Sequence, residues 1–349
     1  MPYTRKKLSR VRAGVVGTGY FGRLHVSKYA ALAGVELVGL YDDNRARADE
    51  VAAEFGCPAM DATEALYGEV DAVSIVAPAT RHYELASMFL DRGIHVLVEK
   101  PIATTLEEAD ALVALARARH CVLQVGHQER YVFARFDLPS LISNPREVIC
   151  RRAGPFTGRN MDVNVVLDLM IHDLDITHQI MRYRPLAVTA TSRAVHGALE
   201  DEVEAVIDAG DGRTVRVFAS RVGDALERAV RIVCDDREIE IDFANRRFVL
   251  TEFPEGKGAG GPRRIMDPSE VEGLPLVEDL LAQDPLAEEI GGFVNAVATG
   301  ARPRVTGEDA RRALATALAI DAALGSKGAD PGMAAGGAGP PLGFPAGQG

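Results

Sequence analysis

The sequence predicts an α/β protein in two parts. An N-terminal domain is built on a doubly wound parallel sheet, and a C-terminal α/β domain on a large open, mostly antiparallel sheet. Three observations carry this. Apolar strand runs alternate with helical runs from Val11 to about Gly126. Beyond Ala187, strand-like runs follow one another with few helices between them, as antiparallel neighbours do. Gly17, Gly19 and Gly22 stand between the first strand and the first helix, where the chain must turn tightly.

The elements follow in order. Val11 to Val16 reads as a strand, and Phe21 to Leu32 as a helix with apolar residues at helical spacing. Val35 to Tyr41 is the second strand and Arg45 to Phe55 the second helix. A short strand near Ala59 and a helix near Glu64 come next. Ala72 to Ala77 and Ile94 to Val98 are mostly apolar runs, with Ser74 and His95 the polar members, the pattern of strands buried on both faces of a parallel sheet. Helices at Arg81 to Leu90 and Leu106 to Arg119 and a strand at Cys121 to Val125 complete this domain. The rhythm then changes. Arg130 to Leu141 reads as helical, Glu147 to Arg152 as a strand and Val165 to Met181 as a helix. Six strands are expected between Ala187 and Thr251. Pro254 to Asp279 is rich in Gly, Pro and charge and reads as an excursion loop; helices near Pro285 to Thr299 and Gly307 to Leu324 close the fold.

This divides the 349 residues into a flexible basic arm (1–10), a dinucleotide-binding Rossmann domain (11–126), a substrate-binding and oligomerisation domain (127–325) and a Gly/Ala/Pro-rich tail (326–349). The tail has too little apolar surface to order itself. The arm lacks the apolar centre of a signal peptide, and no apolar run reaches membrane-spanning length. A cytoplasmic protein without a membrane partner is expected. Net charge is −11, which argues against broad nucleic-acid contacts. The four cysteines, Cys57, Cys121, Cys150 and Cys234, stand far apart, as reduced thiols do rather than a metal site. The open sheet should expose an apolar face, and a homodimer or homotetramer built across it is expected.

Chemistry concentrates at the strand ends, where ligands of doubly wound sheets sit. In Gly17-Thr18-Gly19-Tyr20-Phe21-Gly22 the first glycine turns the chain and the second admits a pyrophosphate. The third lets the helix pack close, so that its N–H groups face the phosphates. Asp42 lies twenty positions after Gly22, where a carboxylate can accept both ribose hydroxyls of NAD; the plainer reading is two solvated acids, Asp42-Asp43, in a turn. Lys100 follows a buried strand and is fixed by Pro101, which places an ammonium where oxygen charge can develop. Asp168 and His172 are four apart in an apolar helix and share a face, so the carboxylate is expected to orient the imidazole as a general base. Asp173, Asp175 and His178 spread around that helix, and no metal is expected.

These residues resemble the Gfo/Idh/MocA sugar and polyol oxidoreductases over roughly Val11 to Leu324. The resemblance rests on the glycine loop, Glu99-Lys100-Pro101, Asp168-x-x-x-His172, and the ending Phe293 … Gly300-Ala301-Arg302-Pro303 … Gly307. It implies an NAD-dependent CH–OH oxidoreductase with Lys100, His172 and Asp168 catalytic. It places Ala77, Pro78, His82 and Glu99 beside the cofactor, together with Gly17 to Gly22 and Asp42. Val125-Gly126-His127-Gln128-Glu129-Arg130-Tyr131 and Arg152-Ala153-Gly154-Pro155-Phe156 look like the branch acting on UDP-N-acetylglucosamine, or its uronic acid, at C3. Val132 stands where those relatives often carry Asn. The expected substrate contacts are His127, Glu129, Arg130, Arg152 and Arg159. The 3-keto product would pass to a partner aminotransferase, for lipid A or surface polysaccharide. A free-sugar or inositol dehydrogenase, and a non-catalytic NAD-binding sensor, are the alternatives.

Overall fold

The computed structural model describes residues 9–135, 138–245, 247–253, 264–266 and 283–325. Five parallel strands form the first sheet: β1 (Val11–Val16), β2 (Val35–Tyr41), β3 (Ala72–Ile75), β4 (His95–Glu99) and β5 (Leu123–Gly126), in the order β2-β1-β3-β4-β5. Every residue of β3 and β4 is buried, the polar Ser74, His95 and Glu99 included. The helices between them are α1 (Tyr20–Ala31), α2 (Arg45–Phe55), α3 (His82–Asp91) and α4 (Leu106–Ala118). Local chemistry sets their ends. The Asn44 side chain accepts from Arg47 N at the start of α2, and Gly56 ends it at φ 68°. Thr105 and Glu108 form a reciprocal cap on α4.

The second sheet has eight strands in the order β13-β12-β11-β10-β6-β9-β8-β7. They are β6 (Pro145–Ala153), β7 (Ala187–Arg193), β8 (Glu202–Gly210), β9 (Arg213–Ser220), β10 (Glu227–Cys234), β11 (Arg237–Asp242), β12 (Arg247–Glu252) and β13 (Arg264–Met266). Only β6 and β9 pair in parallel. One face, with Cys150, Ala205, Val217, Ile232 and Ile239, belongs to the main core with α7 (Ile171–Met181) and α9 (Gly307–Gly325). α8 (Pro285–Thr299) instead packs on the first sheet, its Ile290 and Phe293 sharing a core with Val11, Val15 and Tyr29.

The structure departs from the sequence reading in several places. The strand near Ala59 is one bridge to Leu40, and the helix near Glu64 a single 3₁₀ turn, Thr63–Leu66. Arg130 to Leu141 breaks into α5 (Glu129–Ala134) and α6 (Leu138–Leu141). Val166–Met170 is a π turn leading into α7. Arg264–Met266, expected in a loop, pairs with β12; the rest of Pro254 to Asp279, the first eight residues of the arm and the tail lie outside the described residues. The outer face of the sheet is not the apolar surface expected. Its alternating positions carry cross-strand ion pairs, Arg216–Glu147 at 2.7 Å and Arg231–Glu238 at 2.6 Å, with Arg151–Glu227 at 2.8 Å. Among the described residues, no helix is long and apolar enough to cross a membrane and no His/Cys/Asp/Glu group could hold a metal.

Candidate active site

A cavity of about 1230 Å³ opens at the carboxyl ends of the first sheet, where the strand order switches direction between β1 and β3. It exceeds the roughly 300–1,000 Å³ usual for a single ligand and has room for a dinucleotide with a second molecule. The wall takes Gly17, Gly19, Tyr20, Phe21 and Gly22 from the β1–α1 turn, Asp42 from the end of β2, and Ala77 and Pro78 from beyond β3. Glu99 and Lys100 come from the end of β4, and Glu129 from α5. The second domain contributes Arg159, Asn160, Asp162, Asp168 and His172.

The cofactor end fits NAD by its own geometry. Gly17 has φ +90°, and a Cβ there would stand 2.3 Å from the Val76 carbonyl oxygen. A Cβ on Gly22 would stand 1.9 Å from the Gly17 carbonyl oxygen. Both positions therefore exclude a side chain, and the chain stays thin where a pyrophosphate must come close. Among the described residues no side chain caps the N-terminus of α1, so its amide donors and dipole are left for an anion. Asp42 Oδ2 accepts from Thr18 N at 2.7 Å and from Thr18 Oγ1 at 3.0 Å. That ties the acid to the glycine loop. Thr18 is buried and serves Asp42 rather than the cavity wall.

Asp42 is also placed to bear on cofactor choice. Arg45 turns away to Asp49 and Asp61, while Arg47, which the sequence did not single out, lines the cavity with Nη2 3.7 Å from Asp42 Oδ1. A 2′-phosphate would meet the Asp42 carboxylate at a cost of about 1–3 kcal/mol, a tenfold to hundredfold loss of affinity. Asp42→Ser is therefore expected to weaken NAD and relax the preference, because Arg47 remains to meet the phosphate. Titration of both cofactors measures this. Tighter NADP than NAD binding by the unaltered protein would show that Arg47 prevails.

At the other end Lys100, on a cis Lys100–Pro101 bond, donates from Nζ to the Asp168 carbonyl at 2.5 Å and to Asp168 Oδ1 at 3.1 Å. Asn160 Nδ2 donates to the same Oδ1 at 2.8 Å. The expected Asp168–His172 orientation is thus corrected: the carboxylate holds Lys100. The cause is the Lys100 ammonium, which arrives from the end of β4 and takes the carboxylate. His172 lies at the start of α7, half-buried, with a buried Nδ1 that has no partner among the described residues. Burial, then the nearby charges of Lys100 and Arg152, push its pKa well below 6.5, which keeps the imidazole neutral and able to accept a proton.

Four more expected contacts sit behind the cavity wall. Arg130 is buried in a two-point ion pair with Asp175, at 2.6 and 2.7 Å. Arg152 binds Asp173 at 2.7 and 2.9 Å and Glu129 at 3.2 Å. His82 is buried between two turns, its ring nitrogens 2.6 Å from the Pro101 carbonyl and 2.9 Å from the Ala77 carbonyl, one of which accepts its N–H. His127 is fully buried behind His172. Arg159 does reach the wall, its guanidinium 4.3 Å over the Tyr20 ring. Asp162, accepting from Ala79 N at 2.9 Å, carried no signal in the sequence because its partner is 83 residues away; Asn160, whose partner Asp168 is near in sequence, was not singled out.

Residues 11–127 match the oxidoreductase family described as an NAD-binding Rossmann fold, and residues 139–240 match the Gfo/Idh/MocA C-terminal domain. The chain is 38% identical to a UDP-N-acetylglucosamine 3-dehydrogenase of Acidithiobacillus ferrooxidans, over 90% of this chain and 97% of that one. The chain belongs to the Gfo/Idh/MocA family. An inositol 2-dehydrogenase of Rhizobium meliloti is another family relative, 29% identical over 90% of this chain and 96% of its own. A solved structure of the Acidithiobacillus ferrooxidans enzyme superposes with a TM-score of 0.80 at 36% identity, covering 91% of this chain and 98% of that one. In this Gfo/Idh/MocA protein, as in the family description, the cofactor is NAD.

Proposed function

We propose that the protein oxidises the C3 hydroxyl of UDP-N-acetylglucosamine, or a close relative, to a 3-keto sugar nucleotide. The likeness to a dehydrogenase of that substrate along nearly the whole of both chains carries the reading. The cavity supports it. When bound, NAD supplies the hydride acceptor. His172, neutral at ordinary pH, accepts the hydroxyl proton as the carbon gives up its hydride. Lys100 donates to the oxygen and offsets its developing negative charge. Asp168, with Asn160, holds the ammonium in place. Arg159, which lies over the Tyr20 ring on the cavity wall, is available to the substrate diphosphate. A cofactor-bound sensor has no use for a proton acceptor and an oxygen donor set together.

The product carbonyl is a substrate for an aminotransferase, and this is the partner the reading requires. Assembly with further copies through the eight-stranded sheet belongs to the same proposal, now through a charged rather than an apolar face. The substrate is tested by mass spectrometry on a mixture of UDP-N-acetylglucosamine, NAD, an amino donor and a sugar-nucleotide aminotransferase. Coupling is needed because NAD oxidation of an alcohol is uphill near neutral pH. The expected product is the 3-amino sugar nucleotide. Equal or faster turnover of free inositol or glucose would overturn the proposal.

A further inference from the structure

His127 follows β5 and was expected to touch substrate. It is fully buried, and neither of its ring nitrogens has a hydrogen-bond partner among the described residues. A buried imidazole with both nitrogens unsatisfied is costly, so a site that keeps one has a use for it. Its neighbour is His172. The two rings meet edge to face, centroids 5.9 Å apart and planes at 87°. His172 Nδ1 is itself buried and has no partner among the described residues. Three unsatisfied ring nitrogens thus lie in two touching side chains, one of them the proposed base.

We propose that His127 is the positioning residue for His172, accepting a hydrogen bond from Nδ1–H once substrate is bound and so leaving Nε2 as the base. Catalytic hydrogen bonds are often long before the reactants bind and tighten afterwards. This role rests on the reading of His172 as the base. It fills the place vacated by Asp168, whose carboxylate is taken by Lys100. The proton balance is simple. Nε2 gains the alcohol proton, Nδ1 keeps its own, and the imidazolium's charge is shared with the His127 acceptor. The charged groups facing the two rings are Lys100 and Glu99 from β4, Arg130 from α5, Asp175 from α7, Arg152 from β6 and Arg228 from β10. Burial lowers the His127 pKa as well, so it stays neutral and can accept.

The test uses the full chain with UDP-N-acetylglucosamine and NAD in the coupled assay. His127→Phe keeps a ring of similar shape without nitrogens. It is expected to lower the plateau kcat about tenfold, the worth of one such hydrogen bond, with KM and NAD affinity unchanged. The acid limb of kcat should move to lower pH, because the His172 imidazolium loses its acceptor and is harder to form. His127→Gln, whose amide oxygen can accept, should recover most of the plateau and return the limb. It also covers the case in which the Phe variant does not fold. A purely structural role would lower the plateau without moving the limb. If His127→Gln keeps the limb displaced, or both variants match the unaltered protein while His172→Ala is inactive, His127 has no such role and the base assignment stands. If His172→Ala retains normal kcat, the base assignment fails and this proposal with it.

Discussion

His172→Ala and Lys100→Ala are each expected to lower kcat by about 10²–10⁴, the range for losing a general base or an oxyanion donor. NAD affinity should barely change, since the glycine loop and Asp42 stand at the other end of the cavity. In the unaltered protein kcat should hold down to pH values below the ordinary histidine range. The reason is that burial and the charges of Lys100 and Arg152 push the His172 pKa down, so the base stays neutral until more acid conditions. Asp168→Ala should cost roughly tenfold to hundredfold through a displaced Lys100 and move the acid limb to higher pH, because a displaced ammonium no longer helps to hold the His172 pKa down. kcat against pH for the three variants decides between roles. Normal turnover by His172→Ala beside an inactive Lys100→Ala would move the base to Lys100 or to water.

Gly22→Ala is expected to disable the cofactor site and the local fold together. Its new methyl would stand 1.9 Å from the Gly17 carbonyl oxygen, and Gly17 is itself held 2.3 Å, in Cβ terms, from Val76. The turn must open, at a cost of about 1–3 kcal/mol or more for an overpacked site, and NAD affinity should fall roughly tenfold to hundredfold or further. Gly19→Ala offers the contrast. The nearest atom to a Cβ there is the Arg47 Nη1, at 3.7 Å, so the free protein should keep its melting temperature while NAD affinity drops. Melting temperature and NAD titration on both variants separate a steric fault from a lost phosphate approach. Normal NAD binding by Gly19→Ala would contradict a pyrophosphate at that residue.

The first domain was legible because its signals are local. Mostly apolar runs, Asn44, Gly56 and the Thr105–Glu108 cap fix each element within a few residues, and strand ends name the cavity in advance. The second domain's site was less legible because it depends on contacts made across the chain. Asp168 and His172 were found by spacing, but spacing along one helix is blind to Lys100, 68 residues away, which takes the carboxylate. The family resemblance implied Arg130 and Arg152 as substrate contacts. In space each meets an acid on α7, Asp175 or Asp173, and a buried guanidinium so paired is part of the core. The sheet's outer face failed for a related reason. Alternation reveals which positions share a face, but long Arg and Glu side chains can cover it as effectively as apolar ones.

The central claim is hydride transfer from C3 of a sugar nucleotide. UDP-N-acetylglucosamine carrying deuterium only at C3, turned over with NAD in the coupled mixture, tests it most directly by mass spectrometry of the reduced cofactor and the sugar product. The account predicts reduced cofactor that carries the deuterium and a sugar product that has lost it. Reduced cofactor without deuterium, or a product that retains it, would contradict oxidation at C3.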